Sequence, residues 1–469
     1  MRVCLILEGS YPYANGGVSS WMNQYIQAMP DVEFVLWVIA DKAEKKGKYK
    51  YDVLSYPNVV EINEVFLDDA LKLKAGKEVK YHFTEAQREA LSNLIECKST
   101  SWEDLCYLFQ DKKINPSDFL MSEDFLKILT ELCVNDYPNA AFADTFHTIR
   151  SMMIPVLYLL GRKVPKADIY HTICTGYGGL LGVLGHYKYK KPLILSEHGI
   201  YSREREEEII RAAWVQPSFK KQWIRFYYML SDAVYKRAKY VTSLFTNARL
   251  TQIELGADPD KCIVISNGIH YDNFKDIPLK EDDGVVDIGA VIRMAPIKDV
   301  KTMIYSFSEL THKMKNVRLH ILGGIDDEEY NEQCHDLVKQ LGLKEGENII
   351  FPGQVQVTEY MKKFDFTILT SISEGQPLSV LESLASRRPC VTTEVGCCRE
   401  LLEGAPGDDL GVVGFCVPPM HREALAEEMY RMCQDRNMRI KMGELGQRRV
   451  DLYYRHPEMI KKYKKLYDN

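Results

Sequence analysis

Val3-Cys4-Leu5-Ile6-Leu7-Glu8-Gly9-Ser10-Tyr11-Pro12-Tyr13-Ala14-Asn15-Gly16-Gly17-Val18-Ser19-Ser20-Trp21 begins with five apolar residues and breaks on a glycine- and proline-bearing loop. An apolar run this short, closed by Glu8, reads as a buried first strand; it is too short for a signal-peptide core. Gly16 and Gly17 stand where a strand would hand over to a helix. There the backbone can approach a ligand closely and offer N–H groups to a phosphate. The spacing is not G-x-G-x-x-G, which disfavours a dinucleotide cofactor.

The same alternation of apolar, β-branched runs with helix-length segments continues along the chain. Strand candidates in the first half are residues 3–7, 34–39, 168–173, 193–196, 240–244 and 262–265. In the second half they are 286–292, 318–322, 349–351, 366–369, 390–393 and 414–417. Such a pattern predicts α/β architecture, with parallel sheets covered by helices. At 469 residues the chain exceeds one ordinary core, so two domains are expected. The polar, Pro/Gly-bounded stretch 276–284 is the linker candidate. Residues 49–162 interrupt the alternation: they are polar, with helical apolar spacing at 86–97 and 142–160, and read as a helical insertion into the first domain. Doubly wound domains bind ligands at the carboxyl ends of their strands.

Composition narrows the function. Hydrophobic content of 46% and charged content of 27% are ordinary for a globular protein. A net charge of -6 provides no general basic surface for nucleic acid or anionic lipid. The lysine-rich run 461–465 reads as a solvated helix face. No run reaches the roughly 18–20 apolar residues of a membrane span. The twelve cysteines form no C-x-x-C pair and have no histidines at zinc spacing, so no metal site is expected and reduced cytoplasmic thiols are.

Chemistry concentrates in Ser373-Glu374-Gly375-Gln376-Pro377-Leu378-Ser379-Val380-Leu381-Glu382. The loop and helix start, with the backbone at Gly375, Leu378 and Ser379, suit an anion such as a phosphate. Glu382, about one turn into the helix, suits a sugar hydroxyl. Arg293 and Lys298 bracket a proline-containing loop after the strand candidate 286–292, and two fixed cations can neutralise a departing diphosphate without a metal. His198 follows the apolar run 193–196, and His171 lies in strand candidate 168–173, ahead of Gly176-Tyr177-Gly178-Gly179; both are read as cleft-lining. Gln354 and Val355, after 349–351, offer backbone to a nucleobase edge. Taken singly, each of these signals has a bland alternative: a turn, a solvated charge, a structural histidine.

Together the motifs resemble those of the retaining glycosyltransferases of family 4. The resemblance rests on the E-x7-E element of Glu374 and Glu382, on Arg293, Lys298 and Gly16-Gly17, and on Asn267-Gly268-Ile269. Residues 7–13, 16–21 and 196–201, with the helical insertion, further resemble the PelF branch, the cytoplasmic glycosyltransferases of Pel exopolysaccharide biosynthesis. The resemblance implies a GT-B fold, two Rossmann-like domains facing across a cleft. It implies an acceptor-side domain over 1–278 with the insertion at about 49–162, a donor domain over 279–452, and a C-terminal helix, 453–469, packing back on the first.

It also implies roles. Glu374 and His198 would contact the donor sugar and Glu382 the ribose. Arg293 and Lys298 would hold the diphosphate, helped by the Gly16-Gly17 backbone. The common E-G-F-G becomes E-G-Q-P here, and Pro377 lacks an N–H, so Leu378 and Ser379 are the substitute donors. The expected activity is retaining transfer from a UDP-sugar, UDP-glucose by the PelF resemblance, to a saccharide acceptor, with no cofactor or metal. The expected partner is a membrane-embedded polysaccharide synthase complex, which would hold the protein peripherally at the inner membrane. Rival readings are a UDP-sugar 2-epimerase on the same scaffold and a non-catalytic nucleotide-sugar-binding subunit.

Overall fold

The computed structural model describes residues 1–76 and 80–468. Contacts divide the chain into two compact units, Met1–Ser243 with Arg249–Ile263, and Leu244–Ala248 with Val264–Asn469. Each unit is built on one sheet, and each sheet has its own hydrophobic core.

The first sheet contains β1 (Arg2–Glu8), β2 (Glu33–Ala40), β3 (Val59–Phe66), β4 (Ile169–Thr172), β5 (Leu193–Ser196), β6 (Tyr240–Ser243) and β7 (Cys262–Val264). Their order is β3-β2-β1-β4-β5-β6-β7. β1 runs parallel to both β2 and β4, so the order reverses beside it. The second sheet contains β8 (Val286–Val291), β9 (Val317–Leu322), β10 (Ile349–Gly353), β11 (Phe366–Leu369), β12 (Cys390–Thr393) and β13 (Gly414–Val417), ordered β10-β9-β8-β11-β12-β13. All five of its pairings are parallel. Its reversal falls between β8 and β11. These are two doubly wound, Rossmann-like domains, as the alternation predicts, and they fit the GT-B fold that the family resemblance implies. Ligand sites in such sheets lie beyond the carboxyl ends of the strands at the reversal.

The interior strands are apolar because both faces are covered: Val3 to Leu7 of β1 are fully buried. β3 departs from the sequence expectation. It lies inside the stretch read as helical, pairs in parallel with β2, and is half exposed along most of its length. As an edge strand carrying Glu61, Asn63 and Glu64 it lacks the apolar run that marks its neighbours. The helical segment therefore starts later, at Asp68, and ends at Leu160.

Two of its helices follow from local chemistry. Glu85–Ile95 starts in a capping box, Thr84 and Gln87 each bonding the other's backbone N–H. Phe142–Leu160 spans the whole run with helical spacing. Leu91, Trp102, Phe119, Phe125 and Met152 join the same apolar cluster as Ile6 and Val35 of the sheet, so these helices extend the first core and form no separate one. Among the described residues no helix is long and apolar enough to cross a membrane, and all twelve cysteines are free thiols.

Candidate functional site

The loops that follow β8 and β11 meet at the reversal of the second sheet. After β11, the Thr370 hydroxyl donates to the carbonyls of Lys298 and Asp299 at 2.9 and 3.1 Å, and Ile372 N–H donates to the Ile297 carbonyl at 2.9 Å. The single turn Pro296–Lys298 is thereby fixed beside Glu374. Lys298 Nζ lies 2.5 Å from Glu374 Oε1, and the two side chains are only 16% and 14% exposed. Ser371 Oγ donates to the same oxygen at 2.6 Å. Such a shielded, charge-assisted pair is stronger than a surface ion pair. Arg293 is arranged differently: its guanidinium pairs with Asp326 and is 60% exposed.

The Glu374 turn is also tied from behind. Cys397 N–H donates to the Gly375 carbonyl at 3.0 Å. Gly396 has φ +52, and a Cβ there would overlap the carbonyls of Glu374 and Gly375, so only glycine lets the two loops touch. Gln376, buried, accepts Asn267 N–H at 2.7 Å and donates to the Asn267 carbonyl at 3.2 Å. Gln376, one of the two residues that depart from the common motif, thus splices the loop to the Asn267-Gly268-Ile269 segment.

Pro377 precedes the helix Leu378–Ala385, whose first N–H groups, on Leu378 and Ser379, have no acceptor within the helix. Glu382 follows one turn later. It is half-buried, and among the described residues its carboxylate has no hydrogen-bond or ionic partner; burial pushes it up to about 7. Gln354 follows β10 and is exposed, whereas Val355 packs against Leu322, Met361 and Phe364.

In the first unit, Gly16 and Gly17 open the helix Gly17–Gln27, are exposed, and have open space where a Cβ would stand. His198 lies just past β5, edge-on to Trp21 with ring centroids 4.3 Å apart. Its Nε2 is buried and lacks a hydrogen-bond partner among the described residues. Burial pulls its pKa down to about 4, so the ring is neutral at physiological pH.

His171 corrects a sequence expectation. It is fully buried on β4, with Nε2 2.8 Å from Ser196 Oγ, and so exposes no surface to line a cleft. Burial and the neighbouring His198 lower its pKa to about 3. It supports the strand end rather than facing a ligand.

Sequence reasoning missed Ser371, Gly396, the half-buried carboxylate Glu8 and the buried carboxylate Glu197. A serine, a glycine or a glutamate carries no motif by itself, and only the fold reveals what each touches. Among the described residues no cluster of three or more His, Cys, Asp or Glu side chains is gathered as a metal site.

Residues 1–260 match the family described as "Domain of unknown function (DUF3492)", more than half of the chain, and residues 285–435 match "Glycosyl transferases group 1". The chain belongs to the DUF3492 family and carries a group 1 glycosyl transferase domain. Among curated proteins it is 26% identical over 244 residues to the alpha-monoglucosyldiacylglycerol synthase of Streptococcus pneumoniae, covering 49% of this chain and 52% of that one. It is 21% identical over 296 residues to the MMP alpha-(1->4)-mannosyltransferase of Mycolicibacterium hassiacum, covering 62% and 68%. The first match thus spans about half the length of that relative. Among solved structures, Anabaena HepE in complex with UDP superposes with a TM-score of 0.62 at 13% identity, covering 100% of both chains. Sucrose-phosphate synthase of Thermosynechococcus elongatus gives 0.60 at 14%, covering 100% and 98%. Likeness at this identity establishes the fold.

Proposed function

We propose that this protein is a retaining glycosyltransferase that moves a sugar, glucose foremost, from a UDP-sugar to a saccharide acceptor in the biosynthesis of a Pel-like exopolysaccharide. The observation that carries the reading is the shielded Lys298–Glu374 pair at the reversal of the second sheet, followed one turn into the next helix by Glu382, unpartnered among the described residues, inside a group 1 glycosyl transferase domain. HepE, of the same fold, has been solved with UDP and with UDP-glucose. The sequence resemblance to the PelF branch supports the glucose unit and the polysaccharide acceptor.

In this reading the diphosphate meets Lys298, Arg293 and the N–H groups of Leu378 and Ser379 of the second unit; the part of the Gly16-Gly17 backbone rests on the family resemblance alone. Glu382 takes the ribose hydroxyls and, among the described residues, has no competing partner to release. Glu374 contacts the donor sugar, the backbone at Gln354 and Val355 meets the base, and His198 of the first unit is read as a donor-sugar contact on the family resemblance. Retention follows when the acceptor hydroxyl attacks the face from which the diphosphate leaves. The anomeric C–O bond to phosphate breaks, the new glycosidic C–O bond forms, and the acceptor proton passes to the leaving phosphate oxygen. Lys298 and Arg293 stabilise the charge that builds there, a task that fixed cations perform without a metal ion. A membrane-embedded synthase complex is the proposed partner.

The test is incubation with a panel of UDP-, GDP- and ADP-sugars, with and without EDTA, followed for nucleotide release and for sugar epimers. UDP release that is greatest with UDP-glucose and indifferent to EDTA is expected. Complete loss in EDTA overturns the metal-free mechanism. Epimer without transfer selects the 2-epimerase, and binding without turnover of any sugar selects a non-catalytic subunit.

A further inference from the structure

The turn that carries His198 is held by two carboxylates that the transfer mechanism leaves unused. Glu197 is buried at the end of β5. Its Oε2 accepts from the Tyr235 hydroxyl at 2.8 Å and from Gln252 Nε2 at 2.9 Å. Its Oε1 accepts from Tyr201 N–H at 3.4 Å and from the Thr175 hydroxyl at 3.5 Å. Four donors from four separate segments converge on one carboxylate, and among the described residues no cation pairs with it.

Glu8, at the end of β1, repeats the arrangement. Its Oε2 accepts from Gly178 N–H at 2.8 Å and from the Cys174 thiol at 3.2 Å, and its Oε1 accepts from the Tyr201 hydroxyl at 3.2 Å. Tyr201 is therefore gripped at both ends, its amide by Glu197 and its hydroxyl by Glu8. Only His198, Gly199 and Ile200 lie between Glu197 and Tyr201 in the chain. Space has been cleared for this: a Cβ on Gly176 would overlap the Tyr201 ring, and one on Gly199 would overlap the Glu204 carboxylate.

We propose that Glu197 is a positioning residue for His198, acting with Glu8 through Tyr201 to hold the 198–201 turn in a single conformation. The proposal rests on the reading of His198 as a donor-sugar contact. A carboxylate buried without a counter-charge is costly, and apolar filling would seal the strand end at less expense. What the carboxylate adds is simultaneous acceptance from both sides of the turn. Among the described residues His198 Nε2 has no hydrogen-bond partner to fix it, so its aim depends on the backbone that carries it.

Protonation gives a readout that packing alone would not. Burial, with Glu204 adding in the same direction, pushes the Glu197 carboxyl up to about 7, while the bonds from Gln252, Tyr235 and Tyr201 pull it down. The titratable groups around it are Glu204, the Tyr235 hydroxyl, and the thiols of Cys174 and Cys262. All of its four partners donate, so the ionised form fits the site. Protonation turns one oxygen into a donor and loosens the grip.

The experiment compares wild type with Glu197→Gln and Tyr201→Phe. UDP affinity is measured by calorimetry, kcat and KM with UDP-glucose from pH 5.5 to 8.5, and melting temperature alongside. Wild-type kcat is expected to rise through about pH 7. Glu197→Gln should lose about 10- to 100-fold in kcat, keep UDP affinity, and show no rise near pH 7. Tyr201→Phe, which severs only the bond to Glu8, should fold and lose less. Wild-type kcat and an unchanged pH profile in Glu197→Gln overturn the proposal. If that variant does not fold, full kcat in Tyr201→Phe overturns it. Wild-type turnover tests the UDP-sugar reading separately; only the ratio of variant to wild type tests the role of Glu197.

Discussion

Beyond β8 and β11 the charges come as ion pairs, Lys298 with Glu374 and Arg293 with Asp326. At the ends of β1 and β5 the carboxylates Glu8 and Glu197 are held by neutral donors, and burial keeps the His198 imidazole uncharged. The contrast matches two ligand chemistries. An ion pair keeps a cation in place until an anion arrives to share it, which suits a diphosphate. A neutral imidazole beside an indole offers hydrogen bonds without competing for that anion, which suits a sugar hydroxyl. The second unit is arranged for charge and the first for orientation.

The strongest way to break this division is to remove Glu374. Glu374→Ala deletes the proposed sugar contact and leaves Lys298 without its counter-charge. Transfer should fall about 100- to 1,000-fold, the cost typical of removing one preorganised transition-state group, with the fold retained by circular dichroism. Near-normal turnover removes Glu374 from the site. Arg293→Ala comes next, with a loss of at least about tenfold. Arg293 is exposed and its pair with Asp326 lies at the surface, so the loss should shrink as salt rises, whereas that of Glu374→Ala should not. Equal salt dependence would mean that the two sites are not differently shielded.

The carboxylate on the helix Leu378–Ala385 links stability to pH. Glu382 titrates at about 7 in the folded chain against 4.5 for an unperturbed glutamate. Its folded pKa is raised, so the folded state is fully favoured below about 4.5 and loses that advantage as pH rises through 7. Glu382→Gln should therefore raise the melting temperature relative to wild type at pH 8 and leave it unchanged at pH 4. The same substitution should raise KM for the UDP-sugar with little effect on kcat. A variant that is more stable but binds more weakly identifies a carboxylate kept for a ligand. Unchanged KM would mark it as an idle burial.

Much of this was legible in the residues. The buried strands announce themselves as apolar runs, and the helix Phe142–Leu160 is marked by its periodicity. Lys298 and Glu374, although 76 positions apart, were both legible as loop residues, Lys298 after an apolar run and Glu374 ahead of a helix start. β3 was not legible, because an edge strand with one wet face alternates weakly and carries no run. His171 misled for a related reason: a polar residue on an apolar strand looks exposed, yet Ser196 satisfies it inside the core. The tie between Gln376 and Asn267 was invisible because it joins a side chain to a backbone 109 positions away. Glu8 and Glu197 were in view but mute, since a carboxylate gains meaning only from the donors that the fold brings to it.

The smallest effect separates the turn from the carboxylate it carries. Gln376→Ala removes both bonds to Asn267 and leaves a buried N–H and C=O unsatisfied, for about 1–3 kcal/mol of stability. The melting temperature should fall by several degrees. Glu374 keeps Lys298 and Ser371 as partners, and the turn keeps its support from Gly396 and Cys397, so kcat should drop only a few-fold. If instead Gln376→Ala loses transfer as completely as Glu374→Ala, the conformation of the turn explains both losses. The division between a charge-bearing second unit and an orienting first unit then fails, because orientation governs the second unit as well.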